Sequence, residues 1–400
     1  MIFLLFTLFG LVNIYFPSFL NYIYGFAILA SSLFLIRYEA YIYKLLLSSI
    51  LGKILVSILI VSLIRGVFFC ADFSTPHFLL DLISILALPL GASVFLRSYQ
   101  TSGIEGVFTE IVLANLGSVL VVSIAILSGG FGFSSIDTGR AYMNQADVSL
   151  SSLCQIAVFS FPFFFLSKTL VHKLLIFASF SLFSVTALAS GGRSFFLFAS
   201  YVLLVLVVFA WPRMIKARLG FSMLPFVGFV PFLVYFLRDS LQYVYLRSFD
   251  NVLKSRAELE SGMDARLYET LYYIQSNSPI TILLGKGIGS TTHSVLFDEI
   301  TSTLHFSPGT LILKIGVIGL FSLSLWVVSF VWCRNVLFRR QLFVASLPLI
   351  GWFISIEIAH TSLTEPQSMF YLGYFLCLYH CLSVDLSQRV TPRACLVNVY

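Results

Sequence analysis

The chemistry-bearing side chains of this sequence are few and gathered. Across residues 238–308 stand Arg238, Asp239, Arg247, Asp250, Lys254, Arg256, Glu258, Glu260, Asp264, Arg266, Glu269, Lys286, Asp298 and Glu299, in a chain that is otherwise sparing with charge. At the end of that stretch His305 precedes Phe306-Ser307-Pro308-Gly309, where Ser307 reads as a helix N-cap and Pro308 as the first helical residue. An imidazole beside the positive end of a helix resists protonation, which leaves a neutral base available near pH 7. An ordinary histidine at a membrane interface is the plain alternative. Earlier in the chain, Ser190-Gly191-Gly192-Arg193-Ser194 breaks two apolar runs and opens the next helix directly after an arginine. Free N–H groups at a helix start, with a planar guanidinium fork beside them, suit a phosphate; the alternative is an arginine snorkelling at a short turn.

The elements that must position these groups are membrane helices. The chain is 58% hydrophobic and 10% charged, with a mean hydropathy of +0.96, whereas soluble domains carry about 25% charged residues. This is the composition of an all-α, polytopic integral membrane protein. Apolar runs long enough to cross a layer of roughly 30 Å fall at twelve places: 2–16, 20–36, 45–64, 78–96, 107–127, 150–166, 174–190, 195–211, 220–237, 309–331, 341–359 and 366–384. The first, MIFLLFTLFGLVNIYF, lacks the basic leader of a secretory signal and reads as a retained span. The expected organisation is a membrane domain over 1–237 with nine spans, a loop over 238–308, and a second membrane domain over 309–400 with three spans and a tail.

The net charge of +6 marks topology and not nucleic acid. Arg37, Lys44, Arg97, Lys168, Lys173, Arg213, Lys216, Arg218, Arg334, Arg339, Arg340, Arg389 and Arg393 occupy one set of connections, while the short opposite loops hold Arg65, Arg140 and Arg193. The positive-inside rule then puts both termini in the cytoplasm and the 238–308 loop outside. Within that loop Leu246, Phe249 and Leu253, and further on Leu267, Leu271 and Ile274, keep helical spacing, with Asn277-Ser278-Pro279 as a stop. Two short amphipathic helices on the membrane face are expected. Gly285-Lys286-Gly287-Ile288-Gly289 lacks the spacing of a nucleotide loop and reads as a tight turn. His293 shares helical spacing with Phe297, Ile300 and Leu304 and reads as packing.

Four charges fall inside apolar runs and need partners: Asp81, Glu110, Lys314 and Glu357. Lys314 and Glu357 stand near the outer ends of their spans, so a buried pair between them is expected; Glu110 lies near the inner face. The six cysteines define no disulfide framework, and Cys377, His380 and Cys381 read as packing residues in preference to metal ligands.

With these residues in view, the chain resembles the bacterial O-antigen polymerases, in the superfamily that also holds the O-antigen ligases. The likeness covers the whole length: about a dozen spans with one large loop in the second half. Ser190-Gly-Gly-Arg193-Ser194 is similar to the family's small-residue and arginine turn. Arg266-Leu-Tyr-Glu-Thr-Leu, followed by Pro279 and the glycine turn, resembles its loop pattern, and Arg140-Ala-Tyr-Met-Asn144 its arginine and asparagine at the outer end of a span. His305 with Gly316 and Gly319 fits a loop histidine before a Gly-x-x-Gly helix, although Phe306 and Gly309 stand where the ligase-like pattern has Asn and Leu.

The resemblance implies a periplasmic glycosyl transfer in the bacterial inner membrane between undecaprenyl-pyrophosphate-linked oligosaccharides, building O-antigen for lipopolysaccharide. It implies no cofactor and no metal, since lipid pyrophosphate is itself a good leaving group. Arg140, Arg193 and Arg266 would bind the pyrophosphate, and His305 would be the general base, with Glu269 its rival. Membrane lipid, and the chain-length regulator and flippase of the same pathway, are the implied partners. Two other functions compete: a ligase moving finished polymer to lipid A core, and a flippase for lipid-linked saccharides. An internal repeat, frequent among transporters, is absent, and charge gathers in one loop and not at mid-membrane.

Overall fold

The computed structural model describes residues 49–129, 170–189, 263–294, 299–304, 307–331 and 366–387, together with isolated positions between 3 and 47 and at 156 and 160. Seven helices and one hairpin lie in these stretches: α1 (Ile50–Phe69), α2 (Thr75–Gly129), α3 (Leu170–Ala189), α4 (Met263–Ser276), α5 (Pro279–Leu284), β1 (Thr292–Ser294), β2 (Glu299–Thr301), α6 (Ser307–Val331) and α7 (Pro366–Ser387). Among the described residues, three segments are long and apolar enough to cross a membrane: 50–69, 75–121 and 308–329. The runs expected at 45–64, 78–96, 107–127, 174–190, 309–331 and 366–384 fall on α1, α2, α3, α6 and α7, while the other six, apart from isolated positions, and the helix expected around 246–253 lie outside the described residues.

Local chemistry accounts for the helix ends. Ser49 caps α1 by accepting the Gly52 N–H at 2.9 Å. The two spans expected at 78–96 and 107–127 form one continuous stretch broken at Gly103, whose φ of 65° lies where a residue without Cβ sits at least cost. Ser278 caps α5, and Pro279 starts it, so the expected stop after α4 is also a new start.

The core of the frame is aromatic. Phe370, Tyr371, Tyr374 and Phe375 of α7 are fully buried with Phe95 of α2, and the ring of Phe3 stacks on Tyr374 at 4.2 Å. Gly91 of α2 and Gly373 of α7 let these two backbones touch, since a Cβ at either would run into a carbonyl of the other helix; small residues at such contacts are what permits close helix packing in lipid. Small polar groups also bridge helices: Asn115 donates to Ser160 Oγ at 2.8 Å, and the Ser118 and Ser179 hydroxyls are 3.1 Å apart. A second cluster joins Leu55 of α1, Trp326 of α6 and Leu376 of α7.

One expectation is corrected here. The 293–304 segment contains a hairpin and not a helix: Thr292, His293 and Ser294 pair with Thr301, Ile300 and Glu299. His293 and Ile300 are thus cross-strand neighbours, both exposed, and Leu304 is buried. The spacing of the apolar residues happened to match a helical period, but the β-branched Thr292, Ile300 and Thr301 favour strand. Lys314 pairs with Asp81 of α2 at 2.7 Å; Glu357, its expected partner, lies outside the described residues. Glu110 accepts from Ser98 Oγ at 2.9 Å.

Candidate functional site

The 285–290 turn is the joint on which the site is built. Gly285, Gly287 and Gly289 have φ of 77°, 117° and 81°, so every second residue of Gly285-Lys-Gly-Ile-Gly289 reverses the chain. The turn lies between α1, α2 and α6. Gly287 sits against Gly66 of α1 so tightly that a Cβ on either would enter the other strand of backbone. Three of its N–H groups are bonded inside the protein. Lys286 N–H donates to the Leu313 carbonyl at 2.7 Å, Ile288 N–H to the Ser62 carbonyl at 3.1 Å, and Gly289 N–H to Asp81 Oδ2 at 2.8 Å. A phosphate-cradling loop needs those donors free, so the tight-turn reading holds.

A break in α6 supplies the matching surface. Gly316 has φ 72° and ψ 176° within that helix, which deprives the carbonyls one turn earlier of their helical partners. The Leu313 carbonyl takes the Lys286 N–H instead, and the Lys314 carbonyl takes the Ser62 hydroxyl at 2.6 Å. Lys314 itself is buried; its Nζ donates to the Ser290 carbonyl at 2.8 Å and meets Asp81. Asp81 therefore holds turn and helix at once. Arg65 of α1 adds a bond from Nε to the Gly285 carbonyl at 2.9 Å.

Above this joint lies a cleft of about 660 Å³ between the α1–α2 turn, α4, the glycine turn and the hairpin. Glu269, Lys286, Asp72, His77, His293 and Tyr272 line it. The Thr291 N–H, bonded to the Asp72 carbonyl at 3.0 Å, and the Ser74 N–H, bonded to the Gly289 carbonyl at 3.0 Å, fix the two facing walls. Lys286 Nζ reaches Asp72 Oδ2 at 3.1 Å and lies 5.9 Å from the centre of the Tyr273 ring. Asp72 is exposed and gives this pair a modest energy, about 0–1 kcal/mol, so Lys286 is held by a weak tether.

Glu269 is the buried carboxylate of the cleft. It is 1% exposed and accepts a short hydrogen bond from Ser294 Oγ on β1. Neighbouring Thr270 packs on Gly309 of α6, and Tyr273 packs on Leu304, Ile312 and Leu313. These contacts define the inward face of α4; of the stripe expected at Leu267, Leu271 and Ile274, Leu271 is exposed and Ile274 packs against the Tyr273 cluster. The face turned inward is the one that α6 covers, and it carries a carboxylate. Burial pushes the Tyr273 phenol well above its ordinary value, Cys70 adds to that rise and Arg65 opposes it. The hydroxyl is buried without a hydrogen-bond partner among the described residues.

Of the expected site residues, the structure places Glu269 in the cleft and Arg266 on the same helix one turn earlier, where the two share a side at a spacing of three. Arg140, Arg193, His305 and the side chain of Arg266 lie outside the described residues. Sequence reasoning missed Asp72, His77 and Lys286 as parts of one site and read His293 as packing. The signal for the first two was topological: the 70–74 turn belongs to the same end of the bundle as the 238–308 loop. Chemically, the cleft offers a carboxylate acceptor for a hydroxyl proton, a tethered cation for an anion, and polar and aromatic walls. Comparison with protein-family models and with curated proteins found no match to this chain.

Proposed function

We propose that this chain is a polymerase of lipid-linked saccharides: a glycosyltransferase of the bacterial inner membrane that joins undecaprenyl-pyrophosphate-linked repeat units into O-antigen. In this reading twelve spans place both termini in the cytoplasm and the cleft at the periplasmic face. The observation that carries it is Glu269, a carboxylate buried in a cleft at the end of an apolar bundle, opposite a lysine that a weak ion pair leaves able to change partner.

The transfer forms a bond between an acceptor hydroxyl oxygen and the anomeric carbon of the growing chain, and breaks the bond from that carbon to the lipid pyrophosphate. The electron pair leaves with the pyrophosphate. The hydroxyl proton passes to a base, and Glu269 takes that role here, with Ser294 holding the carboxylate in place. Arg140, Arg193 and Arg266 are assigned to the departing pyrophosphate, where guanidinium forks match paired oxygens, and Lys286 adds a cation within the cleft. His305, which the sequence favours as base, is the competitor.

The test is complementation of a deletion strain with Glu269→Gln and His305→Ala, scored for O-antigen ladder and membrane abundance. A general base contributes about 10² to 10⁴ in rate, so Glu269→Gln should leave a trace of polymer at normal abundance, with His305→Ala retaining longer chains. A normal ladder from Glu269→Gln removes the carboxylate from the reaction.

A further inference from the structure

We propose that residues 279–290 form a re-entrant element: α5 and the glycine turn dip into the membrane from the cleft side and return, with Ile280 and Leu283 set against lipid acyl chains. The inference goes beyond the enzymatic reading and rests only on the bundle crossing a bilayer.

Depth comes first. The turn bonds to Ser62, seven residues before the end of α1, and to Leu313 and Lys314, six and seven residues after the start of α6. At about 1.5 Å per residue these points lie roughly 10 Å inside both helix ends. With 20 residues, α1 is about 30 Å long and only just covers the hydrocarbon layer, so a point that far from its end is within lipid.

Satisfaction of the backbone comes second. Non-helical chain at membrane depth persists only where protein meets its polar groups. Besides the three bonds already described, Gly285 N–H donates to the Thr281 carbonyl at 2.8 Å and Ser290 N–H to the Gly287 carbonyl at 3.2 Å, while Lys314 Nζ covers the Ser290 carbonyl. The broken α6 and the turn hydrogen-bond to each other through the Leu313 carbonyl and the Lys314 ammonium.

The outward surface comes third. Ile282 packs into the cluster around Tyr273, but Ile280 is 63% and Leu283 46% exposed. The Leu283 carbonyl abuts Gly316, and the next residues of α6, Val317 and Ile318, are exposed in turn, as is Phe321. Leu283 thus continues the apolar outer surface of a membrane-length helix, and acyl chains that cover the one reach the other.

The test uses the full chain in proteoliposomes, its native cysteines replaced, carrying a single nitroxide label at Leu283→Cys, Ile280→Cys, Gln275→Cys or Phe321→Cys. Collision with oxygen, which concentrates in lipid, is compared with collision with a water-soluble nickel chelate. We expect Leu283 and Ile280 to match Phe321, with oxygen dominant, and Gln275 to show the inverse ratio. Chelate access at Leu283 equal to that at Gln275, with Phe321 still protected, overturns the proposal. Protection at Leu283 from both reagents also overturns it, because protein and not lipid then covers the surface. Chelate access at Phe321 sinks the membrane reading itself.

Discussion

Replacing Lys314 with methionine removes the cation that joins three elements. Asp81 keeps the Gly289 N–H, but its carboxylate loses a partner at 2.7 Å, and the Ser290 carbonyl loses its donor at 2.8 Å. The side chains are 7% and 19% exposed, so water screens the pair poorly. Breaking a buried pair from one side costs about 3–5 kcal/mol, which at about 1.4 kcal/mol per decade is two to three and a half orders of magnitude in the folding equilibrium. Asp81→Asn alone strands the ammonium and should cost a similar amount. Changing both leaves no uncompensated charge, so the double variant should be far more stable than the sum of the single losses implies. Membrane abundance and thermal unfolding of the detergent-purified protein measure this directly. Additive losses refute the reasoning, since they make the contact between Lys314 and Asp81 energetically empty.

Two further outcomes follow from the same geometry and from the charge pattern. Gly66→Ala places a methyl group in the Ile288 carbonyl, so the turn should be pushed off α1 and membrane abundance should fall, whereas recovery of normal thermal stability would mean that the turn has another seat. A reporter enzyme active only outside the cytoplasm should work when fused after Ser276 and stay silent after Lys216; the opposite pattern inverts the orientation drawn from the lysines and arginines.

Much of the helical frame was legible because hydropathy reports length. Ser307-Pro308 announced the start of α6, and the gap left between the runs at 78–96 and 107–127 contains Gly103, the glycine at which the structure divides them. Neighbours were not legible. A run of apolar residues says that a helix crosses a membrane and nothing about which helix it touches, so the sequence did not match Lys314 to Asp81, which lies beside it in space. The inward face of α4 escaped for a related reason. The stripe at Leu267, Leu271 and Ile274 was set on the membrane face, and an apolar stripe does not say which polar residues of the same helix are buried; here these are Glu269 and Thr270. Short strands such as Thr292–Ser294 are too brief for an alternation to register. Glu269 entered as the rival base to His305 implied by the resemblance, but its cleft needed Asp72 from the α1–α2 turn, His77 from the start of α2 and Lys286 from the glycine turn.

The central claim, that the chain polymerises lipid-linked repeat units, is tested most directly by deleting its gene in the source bacterium and separating the lipopolysaccharide by gel. Polymerase loss should leave core carrying one repeat unit, with the full ladder returning when the intact chain is supplied from a plasmid. Core carrying no repeat unit would identify the ligase step instead, and an unchanged ladder would contradict the account altogether.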